Sequence, residues 1–133
     1  MKLLVDTGVF SAALSRKRRA EFEPLVARLP GNQLNLAAQS VAELRYGVLF
    51  AGWGSARSDR LERAIETTNV IQVSDALLSA VARFRFECRK VGHPLANPVH
   101  HEDLWIAATA VHIGAKLVTA DGVFKDAPGL QVL

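Results

Sequence analysis

The chain has 133 residues, half of them hydrophobic and 22% charged, which suits one compact domain over residues 1–133 and leaves no room for a second. Its longest apolar runs, such as Leu34–Ala38 and Ile106–Val111, fall far short of the roughly 20 residues of a membrane span, and Asp6 interrupts any leader-like apolar stretch. Cys88 is the only cysteine, so neither an internal disulfide nor a thiolate metal cluster can form, and a cytoplasmic location is expected. The net charge is +3, with arginines gathered at Arg16-Lys17-Arg18-Arg19, along Arg57, Arg60 and Arg63, and across Arg83, Arg85 and Arg89. Such clusters fit a polyanionic partner, or else solvated helix faces.

In chain order, Lys2–Val5 reads as a buried strand ending at Asp6-Thr7-Gly8, ahead of a helix over Val9–Leu14. After the basic stretch, Glu21–Leu29 has helical spacing and closes at Pro30-Gly31, with a short strand at Gln33–Ala37. Ser40 stands as N-cap of a helix through Val41–Phe50, with Glu43 at the capping-box position. Beyond Gly52-Trp53-Gly54 a helix over Ala56–Thr67 leads to a β-branched segment, Asn69–Val73. Ser74 or Asp75 then caps a longer helix to about Val91. Pro94 and Pro98 make Leu95–His101 irregular. A helix over Asp103–His112 follows, then a strand at Lys116–Thr119, the turn Ala120-Asp121-Gly122 and a last edge strand at Leu130–Leu133.

Strands separated by helices predict an α/β domain with a mainly parallel central sheet flanked by helices, whose site lies outside the carboxyl ends of the strands. Asp6 and Asp121 follow strands at that edge, Asp103 opens a helix and Glu43 sits in the first turn of another, so four acids can meet at one place. Each has a plainer reading as a helix cap or a turn. Together, with no lysine interleaved at the same turns, they are the donor set that a hard divalent cation requires.

Other chemistries find less support. His100-His101 lacks the spacing of a zinc motif. Gly52-Trp53-Gly54 is no dinucleotide fingerprint, because Arg57 stands where the third glycine belongs. An aspartyl-nucleophile phosphatase needs a second aspartate two residues after Asp6, where Gly8 stands. Trp105, among Ile106, Ala108 and Thr109, reads as core or interface rather than a stacking platform.

Four segments resemble the PIN domains of the VapC toxin family, in the family's order and over nearly the whole chain. They are Leu3-Leu4-Val5-Asp6-Thr7, Ser40–Gly47 with Glu43, His101–Ala110 with Asp103, and Leu117-Val118-Thr119-Ala120-Asp121 followed by Phe124. The resemblance implies a PIN-like three-layer sandwich. It also implies a metal-dependent endoribonuclease in which Asp6, Glu43, Asp103 and Asp121 hold Mg²⁺, or Mn²⁺ in its place, while water cleaves tRNA or rRNA and translation stops. Thr7 and Thr119 would support the site. By position rather than resemblance, Arg16, Lys17, Arg18 and Arg19, which follow the helix launched from Asp6, are placed to bind RNA, with Arg45 or the Arg57, Arg60 and Arg63 stripe as the alternative. A VapB-like antitoxin is the implied partner, with a homodimer assembling into a heterotetramer or larger complex. Val123 stands where many relatives carry a further acid, which leaves a catalytically silent RNA-binding module as the alternative. A structure-specific DNA nuclease would want additional elements for which the chain has no length.

Overall fold

Alternation along the strands decides the layering. In the computed structural model, which describes residues 1–133, Leu3 and Val5 of β1 (Lys2–Val5) enter one apolar cluster while Leu4 enters another. Leu36 and Ala37 of β2 (Gln33–Ala37) part in the same way, as do Val118 and Leu117 of β4 (Lys116–Val118). With side chains alternating across a strand, both faces of the sheet are apolar and each needs a helical layer. The order is β3-β2-β1-β4, with β3 at Asn69–Ile71, and all three pairings are parallel.

The Leu3 face is covered by α1 (Thr7–Ala13), α4 (Ala38–Ala51) and α5 (Ser55–Glu66), through Val9, Phe10, Val41, Leu44, Leu61 and Ile65. The Leu4 face is covered by α6 (Asp75–Lys90) and α7 (His101–Ile113), where Phe84 and Cys88 meet Leu104, Ile106 and the alanines. The result is the expected three-layer α/β sandwich, its sheet wholly parallel. Leu3, Leu4 and Val5 are fully buried. At about 1.5–3 kcal/mol for each such side chain, β1 is a rigid mount for the acid that follows it. No helix is long and apolar enough to cross a membrane.

Several local expectations are corrected. The basic stretch, given no element from its sequence, forms a short helix, α2 (Arg16–Arg19), because the Ser15 hydroxyl accepts from the Arg18 N–H at 3.3 Å and caps it. The expected helix over Glu21–Leu29 breaks into a 3₁₀ turn at Ala20–Phe22 and α3 (Glu23–Val26), since Pro24 has no N–H to continue the ladder. Ser40 is not an N-cap: α4 begins directly where β2 ends, with Ala37 in the capping position and Ser40 buried in the first turn. Leu130–Leu133 forms only an isolated bridge, Val132 to Leu117, because left-handed residues Asp126 and Gly129 hold the preceding chain in turns.

Candidate active site

Asp6 leaves the end of β1 and caps α1, its carboxylate accepting from the Thr7 N–H at 2.9 Å. Its backbone N–H donates to the Val118 carbonyl at 2.9 Å, so β4 holds it from the other side. The Thr119 hydroxyl donates to Asp6 Oδ2 at 2.7 Å and accepts from the Asp121 N–H at 3.0 Å, tying the two aspartates together. Asp121 also caps the 3₁₀ turn Gly122–Phe124, accepting from the Val123 N–H at 2.9 Å. The capping and turn readings of these two acids are therefore correct, and they coexist with a place in the site.

Asp103 lies in the first turn of α7, two residues after the helix starts at His101. Glu43 lies in the second turn of α4, with the Thr7 hydroxyl 3.2 Å from its Oε1 and 2.9 Å from Ser40 Oγ. A carboxylate only accepts, so the arrangement that satisfies all three has Ser40 donating to Thr7 and Thr7 donating to Glu43. Ser40 thus positions Glu43 through a hydroxyl relay. Asp6, Glu43, Asp103 and Asp121 all line one open cleft of about 380 Å³.

The charges in this cleft are poorly compensated. Burial, and secondarily the negative charge of Asp121, raises the Asp6 carboxyl above its ordinary value, against the bonds from Thr119 and Thr7. Asp103 is raised by burial and then by Asp6 and Asp121, with His100, 3.7 Å away, acting in the opposite sense. Glu43 is pushed up to about 7, first by burial and next by Glu102. No lysine or arginine pairs with any of the four acids. Hard oxygen donors with no cation of their own suit Mg²⁺ or Mn²⁺. No three His, Cys, Asp or Glu side chains stand close enough together to hold one ion between them. An open arrangement fits an ion that keeps several waters and takes only one or two carboxylates.

The remaining expected residues divide. Thr7 and Thr119 lie in the site. Arg16 and Arg18 line a second, adjoining cavity, which also shares Thr7, Gly8 and Glu43 with the acid cleft. Lys17 does not line it, and Arg19 is paired with Glu23 at 3.4 Å. Arg45 points the other way along α4, bridging to Glu62 of α5 at 2.8 Å. Val123 packs against the core. His101 stands edge-on to Trp105, and His100 lies 3.7 Å from Asp103. Glu102 is the acid that sequence reasoning missed. It faces Glu43 across a hollow lined also by Gln39 and Tyr46, and its adjacency to Asp103 in an acidic first helical turn was the available signal.

Fold and site together define the class: the PIN-domain family matches residues 3–130, and the chain belongs to it. Within that family the chain is similar to the VapC proteins. It is 34% identical over 109 residues to Ribonuclease VapC8 of Mycobacterium tuberculosis, covering 80% of this chain and 88% of that one. It is 28% identical to Ribonuclease VapC4 of the same organism over 99% of this chain and 95% of its relative. Among solved structures, a chain of VapBC2 from Rickettsia felis, bound to a DNA fragment from its promoter, has the same fold. The TM-score is 0.79 at 22% identity, over 100% of this chain and 98% of that one. A chain of VapBC-5 from M. tuberculosis aligns with a TM-score of 0.70 at 25% identity, covering 100% and 98%.

Proposed function

We propose that the chain is the toxin of a VapC-type toxin–antitoxin pair, a metal-dependent endoribonuclease whose site is the cleft of Asp6, Glu43, Asp103 and Asp121. The observation that carries this reading is the convergence of four acids, none paired with a lysine or arginine, at the carboxyl edge of a parallel sheet. Those four residues would hold Mg²⁺ or Mn²⁺, which when bound supplies an activated water and neutralises charge on the scissile phosphate. Thr119 orients Asp6, and the Ser40–Thr7 relay orients Glu43. Without a cation Glu43 is pushed up to about 7, and an ion held by the four acids would draw it back to the carboxylate that ligation needs.

The substrate is RNA, with tRNA or rRNA as the class whose loss stops translation. The partner is a VapB-like antitoxin, a reading supported by relatives solved as VapBC complexes. Leu49 and Phe50 on α4 are 80% and 81% exposed, and apolar helix faces of this kind support a homodimer within a heterotetramer or larger complex with antitoxin. The decisive experiment incubates the purified chain with RNA and with DNA of matched sequence, each with Mg²⁺, Mn²⁺ or EDTA. Cleavage of RNA alone, abolished by EDTA, is expected. RNA binding without cleavage in either metal would overturn the enzymatic reading and return the silent module.

A further inference from the structure

The cavity beside the acid cleft has a volume of about 490 Å³ and lies between α1–α2 and α5. It shares a wall of Thr7, Gly8 and Glu43 with the cleft, so whatever lies over the acids continues directly into it. Its charge is of the opposite sign. Arg16, Arg18, Arg57 and Arg60 line it against the single acid Glu43, and none of the four makes an ion pair. Arg19 and Arg45, which lie outside it, are both paired. Guanidinium groups left without carboxylates around one hollow await an anion.

An aromatic platform completes the hollow. Gly52 ends α4 in the left-handed conformation at φ 64°, the Trp53 N–H donates to the Val48 carbonyl at 3.1 Å, and Gly54 caps α5. Trp53 is thereby fixed between two helices, half-buried, with the Arg57 guanidinium 4.1 Å from its ring centroid. An indole and a guanidinium stacked in a cationic recess form a surface on which nucleobases stack. The volume falls within the roughly 300–1,000 Å³ of small-ligand pockets, room for one nucleotide and not for a duplex.

We propose that this cavity binds one unpaired nucleotide adjacent to the scissile phosphate, its base stacked on the Trp53–Arg57 pair and its phosphates held by Arg16, Arg18 and Arg60. The identity of the ligand rests on the ribonuclease reading above. The pocket selects RNA that is single-stranded on one side of the cut.

The test uses the full chain with Asp6→Asn, so that RNA survives, and Trp105→Phe, which leaves Trp53 as the only tryptophan. A short single-stranded oligoribonucleotide is expected to quench Trp53 fluorescence, and the same strand in a duplex is not. Trp53→Leu, read by fluorescence anisotropy of a labelled oligonucleotide, is expected to weaken binding about fivefold or more, while Trp53→Phe retains most of it. Arg16→Ala and Arg60→Ala are each expected to lower the slope of log affinity against log salt by about 0.7. Gly47, also in the wall, faces open space, with nothing within 4 Å of where a Cβ would stand, so Gly47→Leu serves as a second, foldable block and is expected to weaken binding likewise. Unchanged oligonucleotide affinity in both Trp53→Leu and Gly47→Leu, with the fold verified by circular dichroism, overturns the proposal. So does loss of antitoxin binding in Trp53→Leu with RNA affinity intact, which assigns the cavity to a protein partner. Cleavage by Trp53→Leu at the parental KM removes the pocket and leaves the nuclease. Quenching by RNA in a chain that cleaves nothing removes the nuclease and leaves the pocket.

Discussion

The acid cleft and the arginine cavity share a wall, yet they carry opposite charge and do not neutralise each other. Asp6, Glu43 and Asp103 are held above their ordinary pKa although unpaired arginines line the next hollow. Between them stands Thr7, whose hydroxyl, backed by Ser40, donates to Glu43. Self-compensation would have given a more comfortable apo protein. Keeping the charges apart is what the proposed function requires, one half free to take a cation and the other to take phosphate.

The sharpest way to break this division is to remove an acid. Asp6→Asn or Asp103→Asn is expected to lower RNA cleavage by about 100-fold or more, because on the proposed reading each removes a ligand of an ion that would supply several kcal/mol of charge stabilisation. A gel assay beside a circular dichroism spectrum checks that activity falls and the fold does not. Next in size is Thr119→Val, which keeps shape but removes the donor to Asp6 and the acceptor for the Asp121 N–H. Activity is expected to fall about 10-fold or more, with a loss of about 1–3 kcal/mol in urea unfolding.

Repulsion within the cleft has its own signature in chelated protein. A carboxyl raised on folding binds more protons folded than unfolded, so stability is higher at low pH and falls as pH rises from the unfolded value toward the folded one. For Glu43 that window runs from 4.5 to about 7. The melting temperature in EDTA is therefore expected to be higher near about pH 5 than near about pH 8, and Glu43→Gln to shrink the difference. Asp103→Asn is expected to melt above the parent in EDTA at the higher pH, and a lower value would count against crowding of the acids. The smallest effect belongs to the paired arginines. Arg45→Ala breaks an exposed bridge and should change stability by less than about 1 kcal/mol, with RNA affinity unaltered.

Strand period and the position of acids after strands were legible in the sequence because both are local: Leu3-Leu4-Val5-Asp6 carries its own layering and its own site edge. What escaped depends on long-range placement. Ser40 has a good capping residue's chemistry, but β2 delivers the chain straight into α4, and its hydroxyl is claimed by a threonine 33 residues away. Arg16 and Arg18 differ from Lys17 and Arg19 only once α2 has formed and turned one side toward α5. Trp53 read as a break between helices, since nothing near it in sequence indicates that Leu14 and Arg16 will form the opposite wall.

The bond from Thr119 to Asp6 joins residues 113 positions apart, and the Asp6 N–H waits on the Val118 carbonyl. During synthesis, β1 leaves the ribosome with its aspartate and finds β2 early, but the other flank of β1 stays empty until β4 has emerged. At roughly 5–20 residues per second, that interval is about 6–23 s. Throughout it the nascent chain has no assembled acid cleft, so on the proposed reading no nuclease site exists until β4 has joined β1.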